Sequence, residues 1–172
     1  MNLLKYLPVI ENFPKPGISF RDISPLLANA DAFKSAIEAL EKLSREFQYT
    51  HILGVESRGF VFGAALARTA HKGLLLARKP NKLPLASHTE SYGLEYGNDA
   101  LQIQSHIIEH GAKILVVDDV LATGGTLVAA SKLVRTTGAT LSGAVTLAHI
   151  EALNGKKLLN SSGIPFRSLL SL

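Results

Sequence analysis

Apolar positions along the chain recur with two different periods. Phe33, Ile37, Leu40, Leu43 and Phe47 stand three and four residues apart, and Asp31 stands where an N-cap would. That spacing marks one face of an α-helix. Four short apolar runs read instead as buried strands: Ile52 to Val55, Leu74 to Ala77, Ile114 to Val117 and Leu141 to Leu147. Helical stretches run from Phe60 to Ala70 and from Leu127 to about Thr137, the second ended by Gly138. Strands alternating with helices require right-handed crossovers. The pattern predicts an α/β fold: a mainly parallel twisted sheet with helices on both faces, in one domain over residues 1–172. Ligands of such sheets bind beyond the carboxyl ends of the strands.

Between Lys79 and Gln104 the pattern changes. Gly, Pro, Ser, Asn and His dominate up to Gly97, and apolar and polar residues alternate from Leu101. This predicts a long loop or hairpin reaching out of the domain, and loops of that length in a compact domain are often functional lids.

Composition narrows the class. Of 172 residues 47% are hydrophobic and 19% charged, which is globular rather than disordered. Cysteine is absent, so disulfides, cysteine-ligated zinc and thiolate catalysis are excluded. No apolar run approaches the ~18 residues of a membrane span. Met1 to Ile10, broken by Lys5 and Pro8, lacks a signal-peptide layout, so a cytoplasmic protein without a membrane partner is expected. The net charge of +4 suits anionic ligands. The basic residues are dispersed without a basic-aromatic groove pattern, so small phosphorylated substrates explain the charge better than nucleic acid.

The most specific chemistry follows the run Ile114 to Val117. Asp118 and Asp119 come first, then Val120 and Leu121, then Ala122-Thr123-Gly124-Gly125-Thr126, and a helical pattern begins at Leu127. Two carboxylates where the strand should end can accept hydrogen bonds from a vicinal diol. Bare N–H groups and threonine hydroxyls at a helix N-terminus favour a phosphate dianion, and glycine lets the backbone approach it closely. The segment reads as a cradle for ribose 5-phosphate. Neither Gly-x-x-x-x-Gly-Lys-Ser/Thr nor Gly-x-Gly-x-x-Gly occurs, which excludes the P-loop and the dinucleotide fingerprint.

Other segments are more ambiguous. Glu56-Ser57-Arg58-Gly59 joins a strand to a helix and suits a diphosphate, or is a plain N-cap by Ser57. Arg78, Lys79 and Lys82 form a basic cluster that could bind anions or simply be solvated. Phe20, in Phe20-Arg21-Asp22, could stack on a flat base or be a core residue beside a structural Arg–Asp pair. Ser87, His88 and Glu90 superficially offer a hydrolase set, but a triad is assembled in space and no nucleophile elbow is present.

The acid pair followed by Ala-Thr-Gly-Gly-Thr resembles the phosphoribosyl-pyrophosphate motif of type I phosphoribosyltransferases, in the variant found in the adenine phosphoribosyltransferases. The resemblance extends in order through Phe20 to Pro25, Glu56 to Phe60, Arg78 to Pro84, Ser91 to Gly97 and the tail from Pro165 to Leu170. It implies the type I fold with an N-terminal hood segment and a flexible lid at about 79–104. It further implies transfer of a phosphoribosyl group to adenine, giving AMP and pyrophosphate, in a homodimer. Mg²⁺ would arrive mainly through the diphosphate, with no dedicated protein metal site. Asp118 and Asp119 would fix the ribose hydroxyls, and Ala122, Thr123, Gly124, Gly125 and Thr126 the 5-phosphate. Glu56, Ser57, Arg58, Gly59, Arg78, Lys79 and Lys82 would hold pyrophosphate, with a cis Glu56–Ser57 peptide. Adenine would be read by main-chain groups of Ser19 and Arg21, against Phe20. Glu95, Tyr96 and Arg58 would be catalytic: Glu95 would assist proton transfer and Tyr96 cover the pyrophosphate side.

Two features refine the resemblance. Members acting on hypoxanthine or guanine carry an aspartate where Ala122 stands. The stretch Leu85 to Glu90 lacks the Gly-Pro common after Lys-Leu-Pro in the family. The alternatives are transfer to another base such as xanthine, and a non-catalytic regulator that senses phosphoribosyl diphosphate.

Overall fold

The computed structural model describes every residue except Glu95 and Tyr96. It divides into two compact units, residues 1–39 and 40–172, with the boundary inside one helix. In chain order the elements are β1 (Val9–Glu11), β2 (Ser19–Arg21), α1 (Ser24–Ala28), α2 (Ala30–Ser44), β3 (His51–Val55), α3 (Gly59–Ala70), β4 (Gly73–Ala77), β5 (His88–Leu94), β6 (Gly97–Ile103), β7 (Lys113–Leu121), α4 (Gly125–Thr136), β8 (Thr140–His149), α5 (Gly155–Ser161) and β9 (Phe166–Ser171).

The first unit contains the antiparallel β1–β2 pair, with Ile10 opposite Phe20. Asn29, not Asp31, caps α2: its Oδ1 accepts the Ala32 N–H at 2.9 Å, and Asp31 lies inside the first turn. An amide just before the first turn satisfies an otherwise orphaned donor, a role Asp31 could not fill from within the helix. The helical spacing also overran, since α2 ends at Ser44, before Phe47.

The second unit is built on a five-stranded parallel sheet in the order β4-β3-β7-β8-β9. This is the expected α/β architecture, with β9 as an additional edge strand that the apolar runs did not reveal. Its burial falls off to half-exposed positions, so its sequence lacks the continuous apolar run of a central strand. Alternate residues of the central strands feed opposite faces. Leu53, Val55, Ile114 and Val116 join Leu127, Ala130, Leu133 and Val134 of α4 in one core. On α3, Gly63 brings the helix so close to β3 that an added Cβ would lie 3.1 Å from the Gly54 Cα.

The segment after Lys79 is a hairpin, with β5 and β6 paired antiparallel. It does not simply project outward. Leu101 and Ile103 are buried in the same core as α4, and Arg78 and Gln102 exchange backbone hydrogen bonds at 3.0 and 2.7 Å. The alternating apolar face of β6 needs cover, and α4 supplies it.

Candidate active site

The chain leaves β3 for β4 on one side and reaches β7 on the other, so the connections diverge between β3 and β7. Open sheets bind ligands at such a point. β3 pairs with β7 only as far as Gly54 opposite Val117, whereas β7 continues beside β8 to Leu121 opposite His149. Asp118 and Asp119 therefore lie within β7, on a length that β3 does not cover. The expectation that the strand stops before them is corrected: β8 continues to pair with β7 after β3 has turned away.

This exposed strand edge receives the turn after β3. The Glu56–Ser57 peptide is cis, as the resemblance implied. Arg58 is the N-cap of α3, and no side chain caps that helix, so Ser57 is not a conventional cap. Arg58 Nε lies 2.9 Å from Asp119 Oδ2, and Asp119 is only 3% exposed. A Cβ on Gly59 would lie 2.8 Å from both Asp118 Oδ1 and the Val117 carbonyl. Only glycine permits so close an approach of α3 to β7. The Asp119 N–H donates to Asp118 Oδ1 at 2.8 Å. Burial and the adjacent Asp119 charge push the Asp118 carboxyl well above the usual carboxylate range. Burial also raises Asp119, while the Arg58 guanidinium pulls it the other way. Hydroxyl donors placed on this pair would favour its ionised form.

Beyond Leu121 the chain turns through Ala122 and Thr123, and α4 starts at Gly125, two residues before the apolar pattern does. Gly124 is the N-cap, with φ of +95°, and no side chain caps the helix. The first-turn N–H groups of a three-turn helix are thus left for an anion. Asp118, Ala122, Thr123, Gly124 and Thr126 line one small pocket of about 70 Å³. The turn is backed by Gly155 at the start of α5, where a Cβ would overlap the Ala122 carbonyl. Gly155 thus supports the turn sterically. Sequence reasoning missed it, because nothing near it in the chain signals the contact.

The basic cluster is drawn together by Glu56, whose side chain is only 8% exposed. Its Oε2 lies 3.3 Å from Arg78 Nε and accepts the Lys79 N–H at 2.7 Å, and Oε1 lies 3.6 Å from Lys82 Nζ. Burial alone would raise the Glu56 carboxyl, but the Lys79 N–H and the Arg78 and Lys82 charges hold it below the usual range. Arg78 also donates to the Lys82 carbonyl at 2.9 Å and sits over the Phe60 ring. Lys79 Nζ lies 2.8 Å from Asp99 Oδ2, on β6. Arg78, Lys79 and Lys82 are therefore not a merely solvated surface.

The hairpin lies against the start of α4. A Cβ on Gly125 would come within 3.3 Å of the Gly93 carbonyl, and Lys132 pairs with Glu90 at 3.0 Å. Ser87 Oγ accepts the Ser105 N–H. With Glu90 held by Lys132, the Ser87, His88 and Glu90 set has no triad arrangement. Glu95 and Tyr96, the expected catalytic residues of the lid, lie outside the described residues.

Ser19, Phe20 and Arg21 form β2 in the first unit. Ser19 Oγ donates to Glu11 at 2.5 Å. Phe20 is half-buried and meets Phe13 edge-on at 5.1 Å. Arg21 donates to the Leu7 carbonyl at 3.1 Å.

Comparison with known proteins agrees with this geometry. Residues 22–165 match the phosphoribosyl transferase domain family. The chain is 63% identical over 170 residues to an adenine phosphoribosyltransferase of Polynucleobacter necessarius, covering 99% of each chain. The crystal structure of adenine phosphoribosyltransferase from Thermoanaerobacter pseudethanolicus superposes with a TM-score of 0.94 at 39% identity, covering 99% of this chain and 98% of that one. The Saccharomyces cerevisiae enzyme, solved with an imino-altritol bisphosphate and adenine, gives 0.89 at 37% identity, covering 98% and 96%. With the domain matched over most of its length and a relative this similar over nearly all of it, the chain belongs to the phosphoribosyl transferase family, among the adenine phosphoribosyltransferases.

Proposed function

We infer that the chain transfers the 5-phosphoribosyl group of 5-phosphoribosyl diphosphate to adenine, releasing AMP and pyrophosphate. The observation that carries this reading is the juxtaposition at the end of β7. An acid pair suited to a ribose diol adjoins an uncapped, glycine-opened helix N-terminus suited to a phosphate. Its relatives bear the matching name, and the yeast enzyme was solved with adenine and a bisphosphate.

In this reaction the bond from the anomeric carbon to diphosphate breaks, and a bond from that carbon to the adenine imidazole nitrogen forms. The proton on that nitrogen must leave. No protein nucleophile is required, so rate comes from aligning base and sugar and from neutralising the leaving diphosphate. Asp118 and Asp119 hold the ribose hydroxyls. Residues 122–126 hold the 5-phosphate. Arg58, Arg78, Lys79 and Lys82 meet the diphosphate, and Glu56, Ser57 and Gly59 shape its loop. Glu95 assists the proton transfer and Tyr96 covers the leaving group. A Mg²⁺ carried by the diphosphate would neutralise part of its charge and keep much of its own water, which the oxygens of Asp118 and Asp119 would suit as acceptors.

The base is read by main-chain groups of Ser19 and Arg21, with Phe20 against its plane. A carbonyl aimed at the exocyclic amine of adenine would face an oxygen in hypoxanthine, and an N–H aimed at N1 would face a proton. Each unpaired buried group costs about 1–3 kcal/mol. The kcat/KM for adenine is expected to exceed that for hypoxanthine, guanine and xanthine by at least about 10³-fold. Ser19→Ala should keep that preference. A pyrophosphate-release assay with the four bases checks this. Comparable turnover of an oxopurine would move the assignment to another base, and tight binding without turnover would point to a regulator.

We place the reaction in the cytoplasm and the enzyme in a homodimer. No described helix is long and apolar enough to cross a membrane. Val61 of α3 and Leu74 of the edge strand β4 are exposed apolar residues that a second copy would cover. Size-exclusion chromatography with light scattering checks the dimer.

A further inference from the structure

The cations of the site are matched by its own carboxylates. Arg58 faces Asp119, Arg78 and Lys82 face Glu56, and Lys79 faces Asp99. Asp99 differs from the other two acids. Glu56 also accepts a loop N–H, so it orders the segment that carries the cations. Asp119 is buried at the acid pair. Asp99 belongs to neither the loop nor the strand end. It stands on β6, opposite Tyr92, which donates to Asp99 Oδ2 at 3.4 Å. Its Oδ1 is occupied by the Ala100 N–H at 2.8 Å, so the carboxylate is held on the hairpin and Oδ2 is aimed at Lys79. The Lys79 side chain is 48% exposed and Asp99 18% exposed. The lysine can turn its three donors elsewhere, whereas the carboxylate is fixed.

We propose that Asp99 sets how tightly the site holds diphosphate, by competing with it for the Lys79 ammonium. The proposal rests on the reading of Lys79 as a diphosphate ligand. A diphosphate draws Lys79 away from Asp99 and leaves a fixed negative charge beside a strongly negative ligand. That repulsion weakens retention of the ligand and so favours release of pyrophosphate after transfer. Because the carboxylate is carried by the hairpin, the same exchange loosens a tie between the hairpin and the loop after β4.

The sign of the effect separates this from a structural role. Loss of a merely structural contact weakens binding, whereas loss of a competing charge strengthens it. Asp99→Asn keeps the shape and the acceptor for the Ala100 N–H and removes the charge. Pyrophosphate, titrated calorimetrically into the full-length protein with Mg²⁺, should bind on the order of tenfold more tightly to this variant. The gain should shrink as salt is added. AMP, which has no diphosphate, should bind within about twofold of the wild type, which also shows that the variant is folded. Asp99→Glu should return pyrophosphate affinity towards the wild type. If Asp99→Asn does not fold, Asp99→Ser gives the same reading. Lys79→Ala is the control for the underlying assignment. Weaker pyrophosphate binding in Lys79→Ala with tighter binding in Asp99→Asn supports competition. Weaker binding in Lys79→Ala with equal or weaker binding in Asp99→Asn overturns competition and leaves Lys79 as a ligand. Unchanged binding in Lys79→Ala overturns the role of Lys79, and the proposal with it.

Discussion

The turn at residues 122–126 follows β7, and the loops at 56–59 and 78–82 follow β3 and β4 and are tied together by Glu56; they create positive potential by different means. The turn uses main-chain N–H groups of an uncapped helix, opened by Gly124 and backed by Gly155. The loops use Arg58, Arg78, Lys79 and Lys82, each drawn towards a carboxylate. A backbone cradle is in place as soon as the helix forms, and no side-chain rotation can withdraw it. A side-chain cradle balanced by its own counter-ions can exchange partners. The first arrangement suits a phosphate that stays attached to the sugar through the reaction. The second suits a leaving group that must be both held and released.

The largest effect should come from breaking the backbone cradle. Gly125→Glu directs a side chain towards the Gly93 carbonyl and an anion into the helix N-terminus. Like-charge repulsion in a partly desolvated pocket costs several kcal/mol, so AMP and phosphoribosyl diphosphate should each bind at least about 10³-fold more weakly. Calorimetry finding wild-type AMP affinity in a folded variant would remove residues 122–126 from the phosphate site.

A second variant lies outside the segments 56–59, 78–82 and 122–126. Glu95→Gln removes the carboxylate expected to assist proton transfer. General acid–base assistance contributes about 10²–10⁴-fold, so the chemical step should slow by that order while pyrophosphate and AMP bind normally. Because product release can mask such a change in kcat, the step has to be timed in a single turnover. An unchanged single-turnover rate would leave Glu95 without a chemical role.

Arg58 joins the side-chain cradle to the acid pair through Asp119, and its removal should show the smallest but most divided effect. Arg58→Ala should weaken pyrophosphate and phosphoribosyl diphosphate binding on the order of tenfold, and AMP binding at neutral pH by less. The pH dependence sharpens this. Arg58 opposes the burial that raises the Asp119 carboxyl, so without it Asp119 should titrate higher still. Ribose hydroxyls donate to the ionised acid, so AMP binding is lost as pH falls through that pKa. In Arg58→Ala the loss should therefore begin at higher pH than in the wild type. The raised acid pair also makes its ionisation a cost to the ligand-free fold, one that grows as pH rises through the folded-state pKa. Equal loss for all three ligands, with an unmoved acid limb, would make Arg58 purely structural.

Local pattern made much of this molecule legible. Apolar runs placed β3, β7 and β8 to within a few residues, because a strand buried on both faces leaves a continuous apolar signature, and β4 kept such a run although it is an edge strand with Leu74 exposed. The same pattern stopped β7 too early. Asp118 and Asp119 are polar, and only the continued pairing with β8 keeps them in the strand. The α4 start was placed late, because Gly125 and Thr126 carry no apolar signal although they are helical.

By itself the sequence determined the α/β alternation, the acid pair followed by a glycine-opened turn, and the membership of the family that those residues and the other matched segments imply. Each is a short-range pattern, written in neighbouring residues and read from period and order. Tertiary structure alone decided which charges meet. Arg58 reaches Asp119, Lys79 reaches Asp99, and Glu56 gathers Arg78 and Lys82 across long stretches of chain. It also decided that Gly59 and Gly155 must lack side chains, because β7 and the Ala122 carbonyl occupy that space. Such contacts depend on which strands become neighbours and where one strand ends before the next. Strand order and relative length arise from packing over the whole sheet, and no local window of sequence contains them.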